Sequence, residues 1–529
     1  MTRSTFPDVE IPNLSIYEFL FGSLKPDELE VTALVDGTSG TKTTYGQLVA
    51  QVNAVGGWLA ARGVDTSSTV GLLCPNAPAF AVVFHGILRA GAIVTTINSL
   101  YTAEEIASQL KDAGATWLFT VSALLPGAQA AAKEVGIAAD HLIVLDGADG
   151  HPSLRDVLTE QATPPEVSFD PATHLAVLPY SSGTTGRPKG VMLTHRNLVA
   201  NVAQSMPNIG VETGDVVLAV LPFYHIYGLT VLLNFALKTR ATLVTMPRFD
   251  LPEFLRIIQD EKCTWIFIAP PIAVALAKHP MVDQFDLSSV KAIFSGAAPL
   301  DENLAGAVAK RLRTTVRQGY GMTELSPVSH TIPLDRDDIS LSSIGLAIPN
   351  LESKLVDPET GEEIPQPKSG VSEPGELMCK GPNVMMGYLN NEEATKATLT
   401  DDGWLHTGDI ATVDSDGIYK IVDRLKELIK YKGYQVAPAV LEAVLLTHPK
   451  IADAAVIGVN DEDGQEIPKA FVVIQPGEEL TETAVMDFVT SKVAPHEKVR
   501  RVEFIDVIPK STAGKILRKD LRAKETASK

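Results

Sequence analysis

Two apolar runs, Leu175-Ala176-Val177-Leu178-Pro179 and Val191-Met192-Leu193, bracket the segment Ser181-Ser182-Gly183-Thr184-Thr185-Gly186-Arg187-Pro188-Lys189-Gly190. The runs read as buried strands, so the fold must join two core strands through a loop of small residues. That loop holds four hydroxyls, three glycines and a lysine. Glycines let the backbone approach a ligand, hydroxyls and amides donate hydrogen bonds, and a lysine adds charge. Such a loop suits a polyphosphate. A Walker loop needs Gly-Lys-Ser/Thr at the start of a helix. Here Lys189 follows a proline and precedes Gly190, with no hydroxyl beside it. A merely flexible surface loop would need no strands hugging both ends.

At 529 residues, nearly half of them apolar, the chain exceeds one hydrophobic core and should form at least two domains. Its net charge of −19 argues against nucleic acid or an anionic membrane as the main partner. Cys74, Cys263 and Cys379 lie far apart, which suggests neither a disulfide framework nor a zinc site. The first thirteen residues lack a signal-peptide pattern, and the apolar stretch from Phe80 to Ile97 is interrupted by His85 and Arg89. The final Ala-Ser-Lys lacks the leucine of a peroxisomal address. The expectation is a soluble, cytoplasmic protein without stable membrane insertion.

Strand-like and helix-like segments alternate along most of the chain. Ala241-Thr242-Leu243-Val244 reads as a strand, and Asp250-Leu251-Pro252-Glu253 as a capped helix start. Trp265-Ile266-Phe267-Ile268-Ala269 reads as the next strand. The implied class is α/β, with largely parallel sheets covered by helices. Near residue 425 the pattern changes. Asp414 to Gly417 looks like a hairpin turn before Ile418-Tyr419-Lys420-Ile421-Val422, and a lysine-dense segment follows. About a hundred residues of short elements remain, enough for a small α+β domain. The expected division is 1–425 and 426–529, with the boundary at Lys426. The acidic turns Asp414 to Gly417 and Asp461 to Gly464 lack full calcium-loop spacing.

Three further segments carry chemistry. Gln318-Gly319-Tyr320-Gly321-Met322-Thr323-Glu324 offers a ring to lay against a purine, then a Thr-Glu pair for a phosphate oxygen and Mg2+. It lacks the third glycine of a dinucleotide fingerprint. Trp404-Leu405-His406-Thr407-Gly408-Asp409 supplies a carboxylate able to accept both hydrogen bonds of a ribose diol. Arg424 would add a second contact. The third segment is Ser511-Thr512-Ala513-Gly514-Lys515-Ile516-Leu517-Arg518-Lys519, which alone would read as a solvated basic face.

In this order and separation the segments match the adenylate-forming superfamily of acyl-CoA synthetases, firefly-type luciferases and peptide-synthetase adenylation domains. From about Leu14 to Arg522 the chain most closely resembles the 4-coumarate–CoA ligase branch. Pro374 to Gly381 stands loosely where that branch carries its second signature box, and Lys432-Gly433-Tyr434-Gln435-Val436-Ala437-Pro438 fits closely. The resemblance implies a two-step reaction using ATP, Mg2+ and CoA. A carboxylate first forms an acyl-adenylate with loss of pyrophosphate, and the CoA thiolate then displaces AMP. It also implies a mobile C-terminal domain that rotates about Lys426 between the steps. Ser181, Ser182, Gly183, Thr184, Thr185, Gly186 and Lys189 would hold phosphates. Gln318, Gly319, Tyr320, Gly321 and Thr323 would hold nucleotide, with Glu324 on the metal and Asp409 and Arg424 at the ribose. Lys515 would bridge carboxylate and α-phosphate. Lys430 and Gln435 would act at the nucleotide and phosphate, Lys432 and Gly433 along the pantetheine arm, and His225 beside the reacting carboxylate.

The resemblance extends to the acid pocket. Tyr227 aligns with a tyrosine able to bond a phenolic hydroxyl, and Ala297, Pro327 and Val328 align with lining positions. Three positions depart from the plant pattern: Phe294 replaces methionine or lysine, Val231 replaces serine, and Leu325-Ser326 replaces Ala-Gly. A medium-chain fatty acid or a benzoate therefore stands beside a hydroxycinnamate as substrate. Other readings are an adenylation enzyme loading a carrier protein, a luciferase-like oxygenase, and a nucleotide-binding protein without catalysis. The expected partners are small molecules alone, with the chain a monomer or homodimer.

Overall fold

The computed structural model describes residues 2–181, 188–425, 427–431, 434–461, 466–493, 495, 497–511 and 515–527, without the side chains of Thr2, Lys430, Tyr434, Gln435 and Ala527. Ser182, Gly183, Thr184, Thr185, Gly186, Lys426, Lys432 and Gly433 thus lie outside the described residues, as do the side chains of Lys430 and Gln435.

Two large sheets form most of the N-terminal part. The nine-stranded sheet runs in the order Leu346–Ala347, Val328–Thr331, Thr315–Gly321, Ala292–Ser295, Trp265–Ile268, Val216–Ala219, Thr242–Thr245, Thr32–Asp36, Lys42–Thr44. Its central pairs are parallel and its edges antiparallel. The connecting helices form as their caps dictate. In Leu251–Glu261, for example, the Asp250 carboxylate accepts from the Glu253 amide at 3.2 Å. The eight-stranded sheet has parallel pairs among Ile93–Thr96, Thr69–Leu73, Ala115–Thr120 and Leu142–Val144. Strand Lys189–Thr194 joins it antiparallel to Leu175–Val177. The strand starts two residues earlier than its apolar run, because Lys189 and Gly190 pair with Ser181 and Tyr180. Ser181 and Lys189, towards the two ends of the small-residue segment, are thus brought together as strand partners.

A third, wholly antiparallel sheet was not legible beyond its last hairpin. It runs Thr2–Arg3, Glu352–Val356, Gly375–Lys380, Leu405–Val413, Tyr419–Arg424, with Glu363–Ile364 on Glu352–Val356. The stretch from Phe80 to Ile97 folds as the buried helix Pro78–Arg89 and strand Ile93–Thr96. Among the described residues no helix is long and apolar enough to cross a membrane.

After this large N-terminal part comes a small α+β domain. Strands Ile451–Asn460, Glu466–Ile474 and Arg501–Phe504 form its sheet, beside helices Pro438–Leu446 and Glu482–Thr490. Among the described residues the main N-terminal core ends at Tyr419, while two further cores take only residues from Ile429 to Leu521.

Candidate active site

Register builds the first wall. Asp409 and Arg424 are Cα partners across strands Leu405–Val413 and Tyr419–Arg424, and their side chains approach to 3.4 Å. From the nine-stranded sheet, the Tyr320 hydroxyl donates to Asp409 Oδ2 at 2.5 Å. Burial pushes the Asp409 carboxyl above its usual range, opposed by Arg424, and raises the Tyr320 phenol further. The flanking glycines have steric reasons. A Cβ on Gly321 would fall 2.1 Å from the Pro327 carbonyl oxygen, and one on Gly319 3.0 Å from the His330 carbonyl oxygen and the Phe294 ring. The Gln318 side chain is committed to structure: its oxygen accepts from Leu300 N, and its amide donates to the Leu341 and Ser343 carbonyls.

Glu324 lies buried opposite this strand pair. Its Oε1 accepts from the Tyr388 hydroxyl at 2.8 Å and faces Ser181 Oγ at 3.4 Å. Lys189 Nζ stands 4.6 Å over the Tyr388 ring. Tyr388, on a strand paired with Lys189–Thr194, thus touches both residues, a role its sequence context did not signal. Among the described residues no three His, Cys, Asp or Glu side chains cluster as a metal cage. One carboxylate facing a phosphate-type loop instead fits Mg2+, which binds through one or two carboxylates, phosphates and water.

The small domain contributes Lys515. Its segment is closed by Ser511 N to Lys515 O at 2.8 Å and a bridge between Lys510 and Ile516. Just beyond it, Arg518 pairs with Glu427 and, at 2.7 Å, with Glu442. Burial and then the Arg424 charge lower the Lys515 ammonium to about 8, with Asp409, Glu427 and Glu324 opposing. Lys515 thus shares one electrostatic site with the nucleotide wall. It also lowers His225, whose largest cause is burial and whose value falls to about 4. His225 Nδ1 accepts from Tyr227 N at 3.3 Å, which leaves the neutral ring's proton on Nε2.

Beyond His225, Tyr227 packs against an apolar cluster that includes Val231 and Phe294. Tyr227 and Val231 lie on the π-helical turn Tyr227–Asn234, a form frequent at functional sites. The Tyr227 ring sits on Gly296, where a Cβ would come within 2.8 Å of it. Its hydroxyl is buried and, among the described residues, has no hydrogen-bond partner; burial raises it. Phe294 is 5 % exposed, 5.9 Å from Phe267 and packed on Gly319. Two rings thus occupy space that Gly296 and Gly319 leave free. Gly296 was not singled out from the sequence. Ala297 follows with φ 71°, and Pro327 and Val328 stand on the turn beyond Glu324.

Comparison with known proteins gives this geometry its context. Residues 25–389 match the AMP-binding enzyme family and residues 440–515 its C-terminal domain. The chain is 42% identical to 4-coumarate–CoA ligase 5 of Oryza sativa subsp. japonica, over 99% of this chain and 97% of that one. ATP-bound MatB from Rhodopseudomonas palustris superposes with a TM-score of 0.88 at 30% identity, covering 97% and 99% of the two chains. The apo form of MatB, at the same identity and coverage, gives 0.78. A benzoate CoA ligase from Burkholderia xenovorans LB400 gives 0.86 at 25% identity, covering 96% and 100%. With both its parts matched and relatives aligned along nearly its full length, the chain belongs to the AMP-binding enzyme family.

Proposed function

We propose that the acid activated by this AMP-forming acid–CoA ligase is a hydroxycinnamate, 4-coumarate first. The observation that carries the reading is the Tyr227 hydroxyl, buried among apolar residues without a partner among the described residues. A phenol reaching that depth supplies the missing hydrogen bond, which cinnamate cannot. The Oryza relative's name points the same way.

In the first step the acid's carboxylate oxygen attacks the α-phosphorus of ATP, and the bond to pyrophosphate breaks. Asp409 and Arg424 hold the ribose, Tyr320 faces the adenine, and Thr323, Lys189 and the 181–190 segment hold phosphates. His225 Nε2–H donates beside the carboxylate. Lys515 lies between the two anions and offsets their repulsion. Glu324 would hold Mg2+, which neutralises phosphate charge. In the second step the CoA thiolate attacks the acyl carbon, AMP leaves, and the thiol proton is lost to solvent. Lys430, Gln435, Lys432 and Gly433 serve nucleotide and pantetheine. We place the division at 1–425 and 426–529 with rotation at Lys426. The separate cores support it, as does a fold nearer ATP-bound than apo MatB.

A second reading, benzoate, is favoured by Phe294, whose ring packs on Gly319 and would shorten an acid pocket there. The deciding assay is AMP release dependent on ATP and CoA with 4-coumarate, cinnamate, caffeate, benzoate and fatty acids of rising length. Preference for 4-coumarate over cinnamate supports the assignment. Preference for benzoate or an aliphatic acid overturns it while leaving the two-step chemistry intact.

A further inference from the structure

Helix His195–Ile209 follows strand Lys189–Thr194 directly and is buried along nearly its whole length. Asn197, Asn201, Gln204 and Asn208 recur on it at i, i+4, i+7 and i+11, a single face. A polar stripe usually faces water, yet all four side chains are buried. Burying four amides is costly unless they find partners, and three of them do.

Asn201 bonds the turn from Met322 to Val328 directly, Asn197 bonds the segment around Asn383, and Gln204 bonds the Pro349 carbonyl and Asn383. Asn201 Nδ2 donates to the Val328 carbonyl at 2.8 Å and the Leu325 carbonyl at 3.4 Å, while its Oδ1 accepts from Val328 N at 3.1 Å. Asn383 grips the same two carbonyls: its Nδ2 donates to Leu325 at 2.8 Å and Val328 at 3.1 Å. Ser326 Oγ donates to the Asn383 carbonyl at 2.8 Å, and Gln204 Nε2 donates to Asn383 Oδ1 at 3.4 Å. Asn197 ties down the segment around Asn383, donating to the Pro382 and Val384 carbonyls at 2.8 and 2.9 Å. From that segment Met385 N donates to the Glu324 carbonyl at 2.9 Å.

The turn so held has two working arms. Thr323 and Glu324 face the phosphate side, and Pro327 and Val328 stand on the acid side. Its two gripped carbonyls bracket the junction between them.

We propose that Asn201 and Asn383 form a clamp that fixes the spacing of these arms, making both positioning residues for attack of the acid on the α-phosphate. The inference rests on the roles proposed above for Glu324, Pro327 and Val328. Neither amide touches a substrate. Each ligand still binds its own arm when the clamp loosens, but the reacting atoms lose alignment, and a displacement of about 1 Å costs on the order of 100-fold in rate. The thioester step, which starts from acid and phosphate already joined, is spared.

The test uses full-length enzyme titrated for active sites. Asn383→Ala, Asn201→Ala and their combination are compared with Asn208→Leu, whose amide has no partner among the described residues. Three quantities are read: single-turnover pyrophosphate release, acyl-CoA formation from synthetic acyl-adenylate, and the dissociation constant of ATP. Pyrophosphate release should fall roughly 10- to 100-fold in each single clamp variant. The double variant should fall little further, because both amides serve the same carbonyls. The other two quantities should stay within about threefold, and Asn208→Leu should leave all three unchanged. If Asn383→Ala does not accumulate folded, Asn201→Ser removes its share of the clamp and gives the same reading. Equal loss in both half-reactions, or an unchanged rate of pyrophosphate release, overturns the clamp. An active-site-competent wild type that joins no acid of the panel to ATP overturns the ligase reading instead.

Discussion

Asp409 and Arg424 face each other across a strand pair of the large domain, and Tyr320 closes on the same carboxylate from a second sheet. Lys515, from the small domain, is lowered by burial and by the Arg424 charge of this cluster, while the Tyr227 hydroxyl is buried and unbonded among the described residues. The contrast is between groups satisfied by one another before any ligand arrives and groups desolvated in advance of one. Ladder register fixes the first set. On the function proposed above, groups of the second set would gain partners when the substrates arrive, so their interactions could strengthen at the reacting centre.

Removing Lys515 attacks that contrast where the effect should be largest. Lys515→Ala should lower acyl-adenylate formation by roughly 10²- to 10³-fold, the cost of losing one preorganised stabilising group. Thioester formation from supplied acyl-adenylate should survive. Parallel loss in both half-reactions would show that Lys515 belongs functionally with the fixed wall.

A milder version of the same test uses pH. The active form is the ammonium, and burial with Arg424 lowers it to about 8, so activity is present below that value and lost as pH rises through it. kcat/KM for adenylation should therefore fall about tenfold per unit above pH 8. Lys515→Arg should abolish the alkaline limb even if its rate is lower, since a guanidinium stays charged. A wild-type profile flat to pH 9.5 would contradict the assignment.

What the sequence disclosed follows the same contrast. From the sequence, Tyr320 and Asp409 stood out by motifs whose chemistry is local, whereas Arg424 and Lys515 rested on the resemblance; the structure brings Tyr320, Asp409 and Arg424 together. The helix capped by Asp250 and the hairpin before Ile418 were readable for a similar reason, since caps and turns are written within four residues. Tyr388 and Gly296 were not, because their roles arise from strands and helices distant in the chain meeting at one point. The stripe from Asn197 to Asn208 shows the limit of periodicity, which marks a face as polar but not whether water or backbone carbonyls satisfy it. The antiparallel third sheet was not legible because its strands are drawn from distant parts of the chain and its pairings cross long intervening segments.

The proposed acid pocket offers smaller effects. Phe294 is nearly fully buried between Phe267 and Gly319, so Phe294→Ala should destabilise the protein by about 3–5 kcal/mol. It should also shift the ratio of kcat/KM for bulky over compact acids by roughly tenfold, as a change of pocket volume does. An unchanged acid profile at lowered stability would make Phe294 a core residue only.

Tyr227→Phe separates the two sets of groups with the least disturbance. In the free protein the hydroxyl makes no bond among the described residues, so deleting it removes an unsatisfied buried group. Thermal stability should hold or rise by up to about 1 kcal/mol, where deleting a bonded hydroxyl would lower it. With substrate present the sign reverses. A neutral hydrogen bond contributes about 0.5–1.5 kcal/mol, so preference for 4-coumarate over cinnamate should drop by roughly 2- to 12-fold. The rate with cinnamate, which offers no phenol, should stay as in the wild type. Loss of stability with no change in this ratio would return Tyr227 to the bonded, structural set, and the assignment of a phenolic acid would lose its support.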